Sequence, residues 1–412
     1  MEKIGYWVPE KKRKKLNFGE LAALFRQRGI ELVELDLQKP LSDQGPFSVI
    51  FHKLTDVVTQ AAKGDNKARC MIDNLETYIK LNPDVVVLDP LSAVKNLMDR
   101  NISYQVLLDS LQSNHDIHRK VKVPNFVEIH TTKETEIMQL LRKAQVGFPL
   151  VCKPSQAHGS LISHKMSLIF NEAGLKDIKP PCVAQTFINH NALLHKVFII
   201  GDQYFVVKRP SVKNFTLGGS GQSTIFFDSH DVSKFNSTSF LNELDETDAA
   251  HVMLEPCSAV LKSLADCLHN GLQMSLIGAD VIVENDTGLH YVIDVNAFPG
   301  YDGVPDFMRV LFNYIERLID CPKTREHHPF IPRDTKANQD SVHLTNGLTP
   351  ILQDSRDSRE EVPVVGDCSF EQTVTKTVKR PLNDVVENGV DSACKKSSSV
   401  VVNGCAQGAN GE

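Results

Sequence analysis

The chain has 412 residues, 41% of them hydrophobic and 23% charged, and a formal net charge of −6. That length suits about two or three packed units, and the acidic balance argues against a protein built mainly to coat nucleic acid. Nine scattered cysteines with no C-x-x-C pair argue against a disulfide framework or a zinc site, and no apolar run reaches the roughly 18 residues of a membrane span, so a monomeric cytoplasmic protein without membrane insertion is expected.

The first elements alternate. "KIGYWV", "IELVELDL", "FSVIFHKL" and "DVVVLDP" are β-rich runs, and the first two flank a helical stripe of Phe18, Leu21, Ala22 and Phe25. Asn17 and Glu20 have capping-box spacing, and Gly29 is the expected stop. Residues 1–115 therefore read as an α/β unit with a mainly parallel sheet. The run Lys11-Lys12-Arg13-Lys14-Lys15 lies between the first strand and that helix, where ligands of α/β units collect. By composition alone five adjacent cations are more often a solvated surface or a nuclear-import patch.

From residue 116 the pattern changes to strands and hairpins: "PLVCKP", "MSLIF", "PCVAQTFI", and "HKVFIIGDQYFVVKRP" folded around Gly201-Asp202. This central part ends at residue 210. A third part, 211–321, adds a helix over 257–270 and a long hairpin. Residues 322–412 lose apolar periodicity and read as a disordered tail.

The hairpin is "SLIGADVIVENDTGLHYVIDVNAFPGYDGV", residues 275–304. With its turn at "ENDTG", Asp280 falls opposite Asp294, and Asn296 shares the face of Asp294 because strand side chains alternate. Opposed Cβ atoms sit roughly 4.5–5.5 Å apart, and like charges there repel unless something positive lies between them. Two carboxylates and an amide oxygen so placed suit a Mg2+ ion that keeps positions for phosphate and water. The alternative is that Asp294 and Asn296 prepare the turn at Phe298-Pro299-Gly300.

A metal of that kind commonly holds nucleotide phosphates. Neither G-x-x-x-x-G-K-[ST] nor a strand-linked G-x-G-x-x-G occurs. Lys153 ends a strand and precedes a loop containing Gly159, so lysine and loop amides could together meet a polyphosphate. A strand-end lysine is more often solvated surface.

"VCKP", "AQTFINHN", "HKVFIIG", "GADVIV" and "VIDVNAFPGYDGV" occur in the order and approximate spacing of the ATP-grasp superfamily. More closely, residues 3–320 resemble the inositol-tetrakisphosphate 1-kinase (inositol-trisphosphate 5/6-kinase) family, with "HKLTDV" and "FINHNA" among the specific pieces. The resemblance implies an ATP-grasp fold in which two subdomains sandwich ATP behind an N-terminal α/β domain. It implies that Lys153 holds ATP phosphates and that Gln185, Thr186, Phe187 and Ile188, with Asn189 and His190 after them, line the adenine. Arg100, Lys196, Ser211, Ser229 and Ser233 would complete the nucleotide site. Asp280, Asp294 and Asn296 would bind two Mg2+ ions, and Lys12, His164, Lys196 and Asn296 the inositol polyphosphate. Transfer itself would rest on Asp294, Lys196 and Arg209. Whether His158 or His164 meets the acceptor stays open, as does the choice of inositol isomer. Two other functions fit the same fold: a carboxylate-amine ligase, and a non-catalytic nucleotide-binding scaffold.

Overall fold

The computed structural model describes residues 2–159, 161–215, 221–234, 237–249, 254–320 and 400–402; at 161, 247, 249 and 400–402 it describes the backbone only. The tail expected over 322–412 thus lies outside the described residues except for 400–402.

Four parallel strands open the chain: β1 (Glu2–Trp7), β2 (Ile30–Glu34), β3 (Val49–His52) and β4 (Val86–Leu88), in the order β2-β1-β3-β4. β1 leads into a short helix, Glu10–Lys15, that holds the basic run, and then into the helix Phe18–Gln27. The cap forms as read: the Asn17 side chain accepts from the Glu20 N–H at 3.2 Å and donates to the Glu20 carboxylate at 3.2 Å. The buried stripe is Phe18, Leu21, Leu24 and Phe25; Ala22 is only half-buried, because the core-facing arc leans toward Leu24. Phe25 meets Phe312 of the closing helix Phe307–Asp320, ring centroids 4.9 Å apart, so the last described helix seals the first sheet.

Two further sheets follow. The strands β5 (Val121–Lys122), β6 (Phe126–Ile129), β7 (Leu150–Pro154), β8 (Lys165–Ile169), β9 (Cys182–Thr186), β10 (Leu193–Ile200), β11 (Gln203–Pro210), β12 (Thr224–Asp228), β13 (Leu276–Val283), β14 (His290–Ala297) and β15 (Val400–Val402) form them. One sheet has the order β12-β8-β7-β9-β6, the other β15-β11-β10-β13-β14-β5. The boundary read at residue 210 does not separate them. The β10/β11 hairpin joins β13 and β14, while β12 crosses back to pair with β8. Local periodicity marks strands but not their non-local partners. The β10/β11 turn is fixed by Gly201, at φ 60°, where any Cβ would stand 2.1 Å from the Tyr314 ring. β9 ends at Thr186, so Phe187 and Ile188, read as strand, leave the sheet as loop.

Candidate active site

Register writes the site row by row. β13 and β14 pair Asp280 directly with Asp294, and β10 and β11 extend that row to Val207-Lys196-Asp280-Asp294. Two residues away along each strand, on the same face, lie Arg209, Leu194 and Ile282 in one direction and Phe198, Gly278 and Asn296 in the other. Leu194, Ile282 and Phe198 therefore put apolar side chains on both sides of the charged row, and Arg209 and Asn296 add polar ones. Gly278 is glycine because Pro299 closes over it: a Cβ there would stand 2.9 Å from the proline ring.

This face and the other antiparallel sheet enclose a cavity of 850 Å³. Its walls include Met166, Leu194, Val207, Val212, Phe227 and Ile282, an apolar lining suited to a ring system. Of the residues named for nucleotide, Arg100, Lys153, Gln185, Thr186, Phe187, Ile188, His190, Lys196, Ser211, Ser229 and Ser233 all line it. Asn189 does not; its side chain clamps the Phe215 backbone, accepting at 2.9 Å and donating at 3.1 Å. Asp280, Asp294, Asn296, Arg209 and both His158 and His164 also line the cavity.

The charges are arranged in pairs. Lys196 Nζ is 2.6 Å from Asp280 Oδ1, and Arg100 Nη1 is 2.9 Å from Asp294 Oδ1. Asn296 donates to Asp294 at 3.3 Å. Arg100 is 3% exposed, with its other nitrogens donating to the Pro154 and Ser163 carbonyls. Burial pushes the Asp280 carboxyl up against the pull of Lys196. Burial acts the same way on Asp294, but Arg100, Lys153 and Lys196 outweigh it and hold that carboxyl below its usual value. Lys153 is not a solvated strand end: Nζ donates to Tyr104 Oη, Gln185 Oε1 and the Ile293 carbonyl, each at 2.8 Å. Burial brings its pKa down to about 7.

Burial lowers the pKa of both histidine candidates. Burial takes His158 down to about 3, and its buried Nε2 has no hydrogen-bond partner. His164 stacks on His230 at 3.6 Å and lies 3.4 Å from Ser229 Oγ. His164 and Ser229 therefore meet.

Lys12 does not line the cavity. Its Nζ turns to the Phe298 and Pro299 carbonyls, the first at 2.8 Å, and sits 4.4 Å from the Phe298 ring centroid. Burial, then repulsion from Lys53, lowers its pKa to about 6. The rest of the run splits: Arg13 pairs with Glu34, Lys14 with Glu10, and Lys15 with Asp302. Sequence reasoning missed Lys53, which lines the cavity, donates to the Ala297 carbonyl at 3.0 Å and is lowered by burial to about 8. A signal existed. Lys53 sits at the carboxyl end of β3 as the Lys12 run sits beyond that of β1, the edge where open α/β sheets bind ligands.

Comparison with known proteins gives the class and then the family. The profile "Inositol 1,3,4-trisphosphate 5/6-kinase ATP-grasp domain" matches residues 115–317, and the corresponding pre-ATP-grasp domain matches residues 3–94. The chain is thus an ATP-grasp protein. It is 44% identical over 344 residues to an inositol-tetrakisphosphate 1-kinase of Xenopus laevis, covering 84% of this chain and 83% of that one. Its identity to the Danio rerio enzyme of that name is 43% over 318 residues, covering 77% and 79%. Among solved structures, a D-alanine-D-alanine ligase from Bacillus anthracis superposes with a TM-score of 0.47 at 13% identity, over 79% of this chain and 99% of that one. The chain belongs to the inositol 1,3,4-trisphosphate 5/6-kinase family.

Proposed function

We propose that the cavity transfers the γ-phosphoryl group of ATP to a hydroxyl of an inositol polyphosphate. The observation that carries this reading is the single cavity that an apolar lining, a row of paired charges and the strand-end lysines Lys53 and Lys153 share. The apolar walls and the Gln185–Ile188 backbone suit adenine; Lys153 and Arg100 suit its phosphates. Asp280, Asp294 and Asn296 form an all-oxygen donor set that fits Mg2+, whose bound charge would neutralise that of the phosphoryl group. Lys196, held against Asp280, is placed to turn toward phosphate oxygens once that carboxylate has another cation. Lys12 and Lys53 stand at the acceptor side, lysines with neutral carbonyls rather than carboxylates as hydrogen-bond acceptors, which suits an acceptor carrying several dianionic groups. No general base is required where alignment and charge neutralisation do most of the work.

The ligase alternative would place its acceptor amine and carboxylate against fewer cations than this edge presents. The scaffold alternative would not require the charged row to be complete. Five described cysteines are free, which supports a reducing, cytoplasmic setting, and no described helix is long and apolar enough to cross a membrane. We take the chain to act as a monomer. The test is a panel of inositol phosphates with Mg-ATP, read by product separation. Phosphorylation of a tris- or tetrakisphosphate is expected; phosphate release that depends on an amine and a carboxylate would overturn the reading in favour of a ligase.

A further inference from the structure

Asp89 is 2% exposed, immediately follows β4, and was given no part by the sequence. Its two oxygens accept from consecutive N–H groups at the start of β13: Ser275 N at 2.7 Å and Leu276 N at 3.1 Å. The Leu276 carbonyl accepts from Phe298 N at 2.7 Å, and the Phe298 carbonyl accepts from Lys12 Nζ at 2.8 Å. A continuous chain of hydrogen bonds thus runs from Asp89 through β13 to the acceptor-side lysine.

Phe298 is the link that needs holding. Its φ of 41° lies in the left-handed region, where a bulky side chain persists only if its surroundings fix it. The Leu276–Phe298 hydrogen bond, the close approach of Pro299 to Gly278 and the Tyr301 ring, edge-on at 5.8 Å, supply that fixing. Ser275 is tied further through its carbonyl to Gly201 N at 2.9 Å and through Oγ to Tyr314 Oη at 2.8 Å. The strip 297–299 in turn offers its carbonyls to both lysines, Ala297 to Lys53 and Phe298 and Pro299 to Lys12.

We propose that Asp89 is a positioning residue for acceptor binding: by fixing the start of β13 it holds Phe298, and through the Phe298 carbonyl the placement of Lys12. The inference rests on the kinase reading above. Burial pushes the Asp89 carboxyl up to about 7 against the two N–H groups, so the ionised clamp is best tested at pH 8.

Asp89→Asn keeps one acceptor oxygen and turns an NH2 group toward one of the two N–H donors. The expected result is an acceptor KM raised roughly tenfold, with the ATP KM unchanged and kcat less affected than KM. Asp89→Glu keeps both oxygens on a longer arm and is expected to fall between wild type and Asp89→Asn; it also serves if the amide variant folds poorly. The decisive comparison is the double variant with Lys12→Ala. If Asp89 acts through Lys12, the double variant is little worse in acceptor KM than Lys12→Ala alone. Additive losses, or lower thermal stability with unchanged acceptor KM in both Asp89 variants, would overturn the proposal and leave Asp89 a purely structural clamp. A wild-type enzyme that phosphorylates no inositol phosphate would instead defeat the kinase reading itself.

Discussion

Basic side chains in and beside this cavity are held in two different ways. On the antiparallel face, Lys196 and Arg100 each meet a carboxylate, Asp280 or Asp294. At the carboxyl edge of the parallel sheet, Lys12 and Lys53 donate to backbone carbonyls, and burial lowers both pKa values. A paired cation stabilises the empty site and can be exchanged for another cation. A buried lysine with only carbonyls for acceptors gains when an anion arrives. The first arrangement suits a centre where metal and nucleotide replace the protein's own ion pairs, the second a receptor for an anionic acceptor.

The hardest test of the paired side is Asp294→Asn. With opposed carboxylates alone, losing one charge would relieve repulsion and raise the stability of the metal-free protein. Arg100 reverses that expectation: at 3% exposure it would lose the carboxylate that compensates it, so the fold should lose about 3 kcal/mol. Turnover should fall further, by roughly a thousandfold or more, because the charge proposed to hold Mg2+ beside the phosphoryl group is gone. Thermal unfolding without metal, set beside Mg-ATP turnover, measures both. Near-normal turnover would return Asp294 to the turn-forming role.

On the unpaired side, Lys12→Ala should raise the acceptor KM by roughly ten- to a hundredfold with little change in the ATP KM. Lys14→Ala is the contrast, since Lys14 is exposed and paired with Glu10. It should change neither constant. Equal effects at both positions, fading with salt, would mean that the run steers ligands by net charge rather than through Lys12.

The carboxylates of this contrast are legible in the sequence, but not their cation partners. Asp280 opposite Asp294 followed from strand alternation and one hairpin turn, which are local. Lys153 was found as a residue type at a strand end, but its burial against Tyr104 and Gln185 was not visible there. Arg100 opens a helix and meets a carboxylate 194 positions away, and periodicity carries no such information. Ser211, Ser229 and Ser233 came from the resemblance alone. Lys53 and Asp89 went unassigned although each follows a parallel strand, because the strip they meet, 297–299 with the start of β13, comes from the far end of the fold.

The pH dependence of acceptor binding sharpens the comparison more gently. Burial holds the free Lys12 pKa near 6, and an arriving phosphate should raise it toward the ordinary lysine value. The bound state then carries the extra proton. Binding at pH 7.5–8.5, where inositol phosphates are already dianionic, should take up on the order of one proton, and affinity should fall by up to about tenfold per pH unit as pH rises. Calorimetry in two buffers of different ionisation enthalpy measures the uptake directly, and Lys12→Ala should lower it, leaving the part taken up by Lys53. Equal heats in both buffers would mean that Lys12 is already charged in the free protein.

The smallest effect is expected at the outer edge of the same sheet. There Val400–Val402 pairs antiparallel with Phe205–Val207 of β11. The edge contributes three ladder positions, whereas the charged row lies on β10, β13 and β14 within the sheet. A chain ending at residue 321 loses those pairs and exposes the β11 edge, at a cost of about 1 kcal/mol and a melting temperature lower by roughly 2–4 °C. Val207 also lines the cavity, so the strand is not remote from it; yet β11 keeps its full ladder with β10 from Leu193 to Ile200. Turnover and both KM values should therefore stay within about twofold of the full chain. A truncated protein that loses most of its turnover while still melting cooperatively would show that β15 helps to shape the cavity wall, and the division between site and edge drawn here would have to move outward by one strand.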